Sequence, residues 1–248
     1  MNNNRIRAWA VLFWLAVWQM GAMALDSDIL LVSPVGVLLR LGQLLPTADF
    51  WRSVLFSFGR ISSGFIIGAV TATLLAALAH RYKLIRELVA PLMLAIRSVP
   101  VASFIILVLV WFSSKTLSVL IAFLMVLPII YSGVLTGIST CDRRLIEMAK
   151  VFKLSNSRCI RYIYLPQVIP FFRSGCGSAL GLCWKAGIAA EVIGMPVGSI
   201  GEKLQQAKVY LDTPDLFAWT LVIVLVSLLF ERIFMLLLNK AEKLLARV

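Results

Sequence analysis

Three kinds of residue are scarce in this 248-residue chain. Histidine occurs once, as His80, so there is little material for imidazole catalysis. His80 ends an apolar run beside Arg81 and Lys83, where it reads as a solvated interfacial residue. Cysteine occurs four times, and no pair has the close CxxC spacing of a zinc site. Cys176 and Cys183 are seven apart in an apolar segment and share one helix face, while Cys141 and Cys159 flank a basic island. That pattern is neither a disulfide framework nor a metal site. Charged residues are also few, at 15% of the chain, and no GxxxxGK[ST] phosphate loop occurs.

Apolar residues fill the space, at 60% of the chain with a mean hydropathy of +0.93. A soluble domain of this size needs far more polar surface, so the class is an all-α, multi-spanning membrane protein. The net charge of +12 would suggest nucleic acid in a soluble protein. In a membrane chain it reads as basic residues gathered in cytoplasmic loops, with no nucleic acid as partner.

The first apolar run, about residues 8–25, follows Arg5 and Arg7. Its Ala22-Met23-Ala24 resembles a signal-cleavage site, but three tryptophans and Gln19 favour a retained helix. Asp26 and Asp28 mark the outer side. In the next stretch Val35, Leu38, Leu39 and Leu45 recur at helical spacing around Pro34, Gly36 and Gly42, which predicts an interfacial amphipathic helix. Further spans are predicted over about 54–79, 99–112, 117–138, 174–194 and 216–238, six in all. The third is short, and the sequence predicts that its helix borrows residues from before Pro100. Residues 1–50 form an N-terminal helix plus the interfacial segment, 51–248 the core transmembrane domain, and about 139–170 a cytoplasmic loop.

Charge asymmetry orients this scheme. Arg81, Lys83, Arg86, Arg97, Arg143, Arg144, Lys150, Lys153, Arg158, Arg161, Arg173, Lys240, Lys243 and Arg247 all fall on one side with Arg5 and Arg7. Only Arg40, Arg52, Arg60, Lys115, Lys185, Lys203 and Lys208 fall elsewhere, apart from Arg232 near an inner end. Both termini are therefore expected in the cytoplasm. Small residues recur four apart at Gly64/Gly68, Gly133/Gly137 and Gly177/Gly181, a spacing that lets membrane helices approach closely.

The basic island, EMAKVFKLSNSRCIRYIYLP from Glu147 to Pro166, is the most informative segment. Leu145, Met148, Ala149 and Phe152 follow an i, i+3, i+4, i+7 pattern, which predicts a short amphipathic helix. Ser155-Asn156-Ser157 offers N-cap chemistry for a second helix that ends at Leu165-Pro166. The product is a helix–turn–helix elbow. It could lie on anionic headgroups or dock a cytoplasmic partner.

At this point the chain resembles the permease subunits of ABC importers, whose last large cytoplasmic loop carries an EAA motif. Glu147-Met148-Ala149, Lys153 at the motif's glycine position, and Ile163-Tyr164-Leu165-Pro166 stand at the family's spacing. Met148 replaces an alanine. Lys153 replaces a glycine whose role is to relieve strain in the turn. SFGRISSGFIIG, IRSVPVASFIILVLVWF and AAEVIGMPVGSIGEKLQQAKVYLDTPDLFAW resemble the nitrate/sulfonate/taurine importer group. The resemblance covers about residue 33 to the C-terminus. It implies the type I importer (MetI-like) permease fold in the bacterial cytoplasmic membrane, working as a homodimer. It also implies a separate ATPase that uses ATP and Mg and docks on Glu147, Met148, Ala149, Phe152, Lys153, Ile163, Leu165 and Pro166. An extracytoplasmic binding protein would deliver a small anionic or sulfonate-like solute. No cofactor or metal is expected on the chain itself, nor any catalytic residue.

Lys185 is the one lysine well inside a span, and a mid-membrane lysine must face protein or water. It either lines the pathway and attracts an anion, or is a structural lysine that pairs with a carbonyl or carboxylate on a neighbouring helix or snorkels to the interface. Glu191 is six residues on and points elsewhere, so the two cannot pair. The resemblance favours Glu191 as a gate or packing residue near the outer end. Trp111, Trp184 and Trp219 read as packing or interface aromatics. The alternative function is an ion-coupled secondary transporter, which would want several intramembrane acids and broken-helix repeats. A membrane-embedded enzyme would need a buried catalytic constellation that is not visible here.

Overall fold

The computed structural model describes residues 8–25 and 31–246, and every element among them is a helix. Arg5, Arg7, Asp26, Asp28 and Arg247, used above to orient the chain, lie outside the described residues. In chain order the helices are α1 (Ala8–Leu25), α2 (Pro34–Leu44), α3 (Ala48–Arg81), α4 (Lys83–Ser98), α5 (Val101–Leu109) and α6 (Ser114–Ser139). Then come α7 (Arg143–Val151), α8 (Asn156–Cys159), a π turn (Ile160–Tyr164), α9 (Leu165–Gly194), α10 (Ile200–Val209) and α11 (Thr213–Ala246).

Among the described residues four helices are long and apolar enough to cross a membrane: Ala48–Arg81, Ser114–Ser139, the continuous Asn156–Gly194, and Thr213–Glu242. The pair α4 and α5 would supply a fifth, and α1 is a shorter apolar helix of 18 residues. The expected third span is corrected here. Its helix does not run through Pro100; the chain bends by 105° between α4 and α5. Proline disfavours helical backbone in the residue before it, and Val99 is extended at φ −82, ψ 131.

α6 is the central helix, packed between α3 and α9. Gly64 and Gly68 make the first contact possible. A Cβ on Gly64 would lie 2.4 Å from the Val119 carbonyl oxygen, and one on Gly68 3.1 Å from that of Phe123. Gly133 and Gly137 take Phe171 of α9 in the same way, at 3.3 and 3.1 Å. Gly177 and Gly181 differ: nothing lies within 4 Å of an added Cβ at either. Two of the three small pairs thus build the bundle, and the third faces outward. The core continues through Ile61, Phe65, Ile121, Val126, Ile130, Leu180 and Cys183, all at 1% exposure or less. Phe65, Trp184, Phe230 and Phe234 pack edge-on or tilted around it. Cys176 and Cys183 lie on this buried face as free thiols. Trp184 and Trp219 are packing residues, whereas Trp111 is exposed.

α2 forms where the apolar spacing predicted it, started by Ser33 Oγ accepting from Gly36 N at 3.1 Å with Pro34 at its first position. The predicted stripe faces outward, as an interfacial helix requires, and a second apolar set packs inward. Val35, Leu38, Leu39 and Leu45 are exposed, and Val37, Leu41 and Leu44 pack inward. On the packed face Arg40 Nε donates to Asp215 Oδ1 at 2.5 Å, with Asp212 3.7 Å from its Nη2, which ties α2 to α11. That hydrogen bond and the two carboxylates raise the Arg40 pKa further above its already high ordinary value. Arg97, counted above among cytoplasmic charges, instead reaches α6, where Nη2 donates to Pro128 O at 2.6 Å and Ser132 Oγ at 2.7 Å.

Candidate functional site

The elbow is built by three local devices. Asp142 is the N-cap of α7, its Oδ1 accepting from Arg144 N at 2.9 Å. The same residue's N–H donates to Gln167 Oε1 at 3.0 Å, and Gln167 Nε2 donates to Ile163 O at 3.1 Å, so the start of α7 is tied to the base of α9. At the other end α7 stops in a Schellman motif. Lys153 N donates to Lys150 O at 3.1 Å, and Leu154 N to Ala149 O at 2.9 Å. This motif needs left-handed backbone at its turn residue, and Lys153 has φ +49. The turn is therefore kept although lysine stands where glycine is unstrained, at a cost of about 1–2 kcal/mol.

One expectation for the elbow is corrected, the end of its second helix, and the other is refined. The stripe Leu145, Met148, Ala149 and Phe152 splits. Ala149 is 4% exposed, whereas Phe152 is 72% exposed, with Met148, Leu145 and Glu147 also outside. A helix that only packed on its own protein would bury this stripe. The second elbow helix does not end at Leu165-Pro166 but runs on into the fifth span, which accordingly starts well before Ser174. The π turn is the reason: Leu165 N bonds Ile160 O, and this wider turn lets Pro166, which lacks an N–H, follow without a break. Ile163 is buried, Leu165 half-buried and Pro166 exposed. Ser155 takes the N-cap backbone geometry of α8, but its side chain makes no capping hydrogen bond.

Glu191 sits at the far end of α9 and is 1% exposed. Ser57 Oγ of α3 donates to its Oε2 at 2.5 Å, and Gly201 N of α10 donates to the same oxygen at 3.4 Å. Ser57 Oγ in turn accepts from Ile200 N at 3.0 Å, and Ser199 Oγ accepts from Glu202 N at 3.0 Å. The first three amides of α10 are thereby satisfied, and a carboxyl faces the positive end of that helix. Met195, at φ +44, turns the chain out of α9, and Gly201 comes so close that its Cβ would lie 2.3 Å from Glu191 Cβ. The arrangement is a packing knot joining α3, α9 and α10. No signal in the sequence links Ser57 to Glu191.

Lys185 is exposed and has no ion pair or hydrogen bond to the described residues, so the pairing within the subunit weighed above is not found. It lies on an outward α9 face with Ser174, Ser178 and Gly181, the face on which Gly177 and Gly181 stand open. Glu191 and Lys185 point apart, one buried and one exposed.

A family model for the binding-protein-dependent transport system inner membrane component matches residues 64–245. The chain belongs to this family. It is the permease subunit of an ABC importer, a transport subunit and not itself a catalyst. It is similar to a probable ABC transporter permease of Brucella melitensis, 30% identical over 210 residues that cover 83% of each chain. It is also similar to a Bacillus subtilis transport permease named for aliphatic sulfonates, 27% identical over 92% of this chain and 83% of that one. Its fold is like a crystal structure of an amino acid ABC transporter with histidines: TM-score 0.61, 19% identity, 82% of this chain and 97% of the other. These likenesses favour the importer over an ion-coupled secondary transporter.

Proposed function

We propose that this permease works as a homodimer in a bacterial cytoplasmic membrane, with both termini in the cytoplasm. It passes a small anionic or sulfonate-like solute delivered by an extracytoplasmic binding protein. ATP and Mg are used by a separate ATPase, and this chain itself holds no cofactor. The elbow docks the ATPase through Glu147, Met148 and Phe152. Ala149, Lys153, Ile163, Leu165 and Pro166 set its shape and its rigid continuity with α9. ATPase closure pushes α7, and because the second elbow helix is continuous with α9, the push tilts the span that carries Lys185.

The single observation that supports this reading is the outward apolar face of α7, on a helix otherwise capped and stopped like a finished structural unit. For the solute, the support is Lys185. A membrane-embedded lysine without a partner in its own subunit must reach water, by snorkelling or in a pathway, or a second subunit, and a pathway between two copies supplies both. The sulfonate name of the Bacillus subtilis relative agrees with an anion. Affinity purification of the tagged chain in mild detergent tests the docking. A nucleotide-binding subunit that co-purifies with wild type and is lost with Glu147→Arg supports it. A chain that purifies alone in both forms, from cells that express its neighbours, contradicts it.

A further inference from the structure

Behind the elbow lies a cavity of about 770 Å³, between the end of α3, the inner face of α7, and α8 with its π turn. Arg81 lines it from α3, and Lys150 and Lys153 from the elbow; Asn156, Cys159 and Tyr164 complete the polar lining. No aspartate or glutamate lines it. None of the three cations has an ion pair among the described residues. Gathering cations on the cytoplasmic side needs only the topology rule. Three cations from two separate elements line this one concave site with no carboxylate beside them, so an anion bound there would meet all three. Lys153 sharpens the point. Glycine would take its left-handed backbone without strain, so the lysine is held there at a conformational cost.

We infer that this cavity binds a phosphate-bearing anion that clamps the elbow to the cytoplasmic end of α3. Guanidinium and ammonium groups together are the donor set that phosphate oxygens take in charge-assisted hydrogen bonds. Arg81, which lines the cavity, is the last residue of the apolar helix α3, so a phospholipid headgroup and a soluble phosphate are both candidate sources of the anion. Occupied, the site holds α7 against α3 by charge, beside the Asp142–Gln167 link that already ties α7 to α9. The inference is separate from the docking of an ATPase, and its test requires none.

Cys159 is the reporter. It lines the cavity and is part-exposed, while Cys141, Cys176 and Cys183 are buried. The alkylation rate of Cys159 by a maleimide is measured on the full chain in two settings. One is detergent with inorganic phosphate against chloride at equal ionic strength. The other is phosphatidylcholine vesicles with and without phosphatidylglycerol. Lys153→Gly and Lys150→Gln are run beside wild type; Lys153→Gly removes a cation while relieving the backbone, so it keeps the fold. Protection by phosphatidylglycerol alone identifies a lipid headgroup, and protection by inorganic phosphate identifies a soluble ligand. In either case the affinity is expected to fall about tenfold in each variant, the loss of one charged hydrogen bond. Equal protection in wild type and variants overturns the inference. So does the absence of protection by both probes.

Discussion

Ser57 and Glu191, 134 residues apart, share a 2.5 Å hydrogen bond in the buried end of the bundle. Through it α3 holds the C-terminal end of α9, and Ser57 passes the connection on to Ile200 of α10. Removing one partner strands the others away from water, which costs about 1–3 kcal/mol for each group left unsatisfied. Ser57→Ala is expected to lower the thermal stability of the detergent-solubilised permease by this amount. Gly201→Ala should destabilise it more, since backbone of Glu191 lies 2.4 Å from the added carbon and cannot move aside cheaply.

The left-handed Lys153 gives a prediction with the opposite sign. Lys153→Gly should leave the permease at least as stable as wild type, by up to about 1 kcal/mol, because the strain relieved offsets the freedom gained by the unfolded chain. Lys153→Val should lower stability by about 1–2 kcal/mol, since a branched side chain fits left-handed backbone least well. Thermal unfolding followed by tryptophan fluorescence reads both.

The glycine pairs divide into two classes that behave differently when filled. Gly64→Ala puts a carbon 2.4 Å from a backbone oxygen and is expected to disrupt the α3–α6 contact, giving low yield of folded monomer. Gly181→Leu meets open space and should leave the subunit folded. Its effect should appear instead as weakened self-association or transport, because the added bulk projects from the Lys185 face. Size-exclusion chromatography with light scattering distinguishes the two.

Thiol chemistry tests the elbow's burial. Cys141 is 6% exposed, and burial pushes its thiol above the ordinary range. The raised value means less thiolate at neutral pH, so Cys141 should alkylate far more slowly than Cys159 and speed up only as pH climbs past the usual thiol range. Peptide mapping after brief maleimide treatment checks the order. Comparable labelling of both would show that the elbow opens freely.

Much of this architecture was legible from residue patterns, and the exceptions have physical causes. The long spans and the α7 helix announce themselves because hydrophobic runs and a 3.6-residue period survive any tertiary context. The elbow motif was legible by spacing. Which way its stripe faced was not: Met148 and Phe152 point out and Ala149 in, and periodicity alone does not say what covers a face. Pro100 and Pro166 carry the same chemistry but had opposite effects. One broke a helix by 105°, and the other was absorbed by a π turn visible only in the hydrogen bonds. The Ser57–Glu191 knot, and Arg97 reaching Pro128, depend on contacts between distant helices that leave no local trace. The three glycine pairs looked alike in sequence, and only the neighbours of each Cβ position separated builders of the bundle from the outward pair.

The central claim is that the outward face of α7 is the surface that receives force from an ATPase. Site-directed cross-linking tests it most directly. A thiol-reactive cross-linker is applied to the assembled transporter carrying Phe152→Cys, with Leu88→Cys, an exposed residue of α4, as control. The account predicts a covalent permease–ATPase product from Phe152→Cys, changing in yield between ATP-bound and nucleotide-free states, and none from Leu88→Cys. No product from Phe152→Cys, or equal product from both positions, would contradict it.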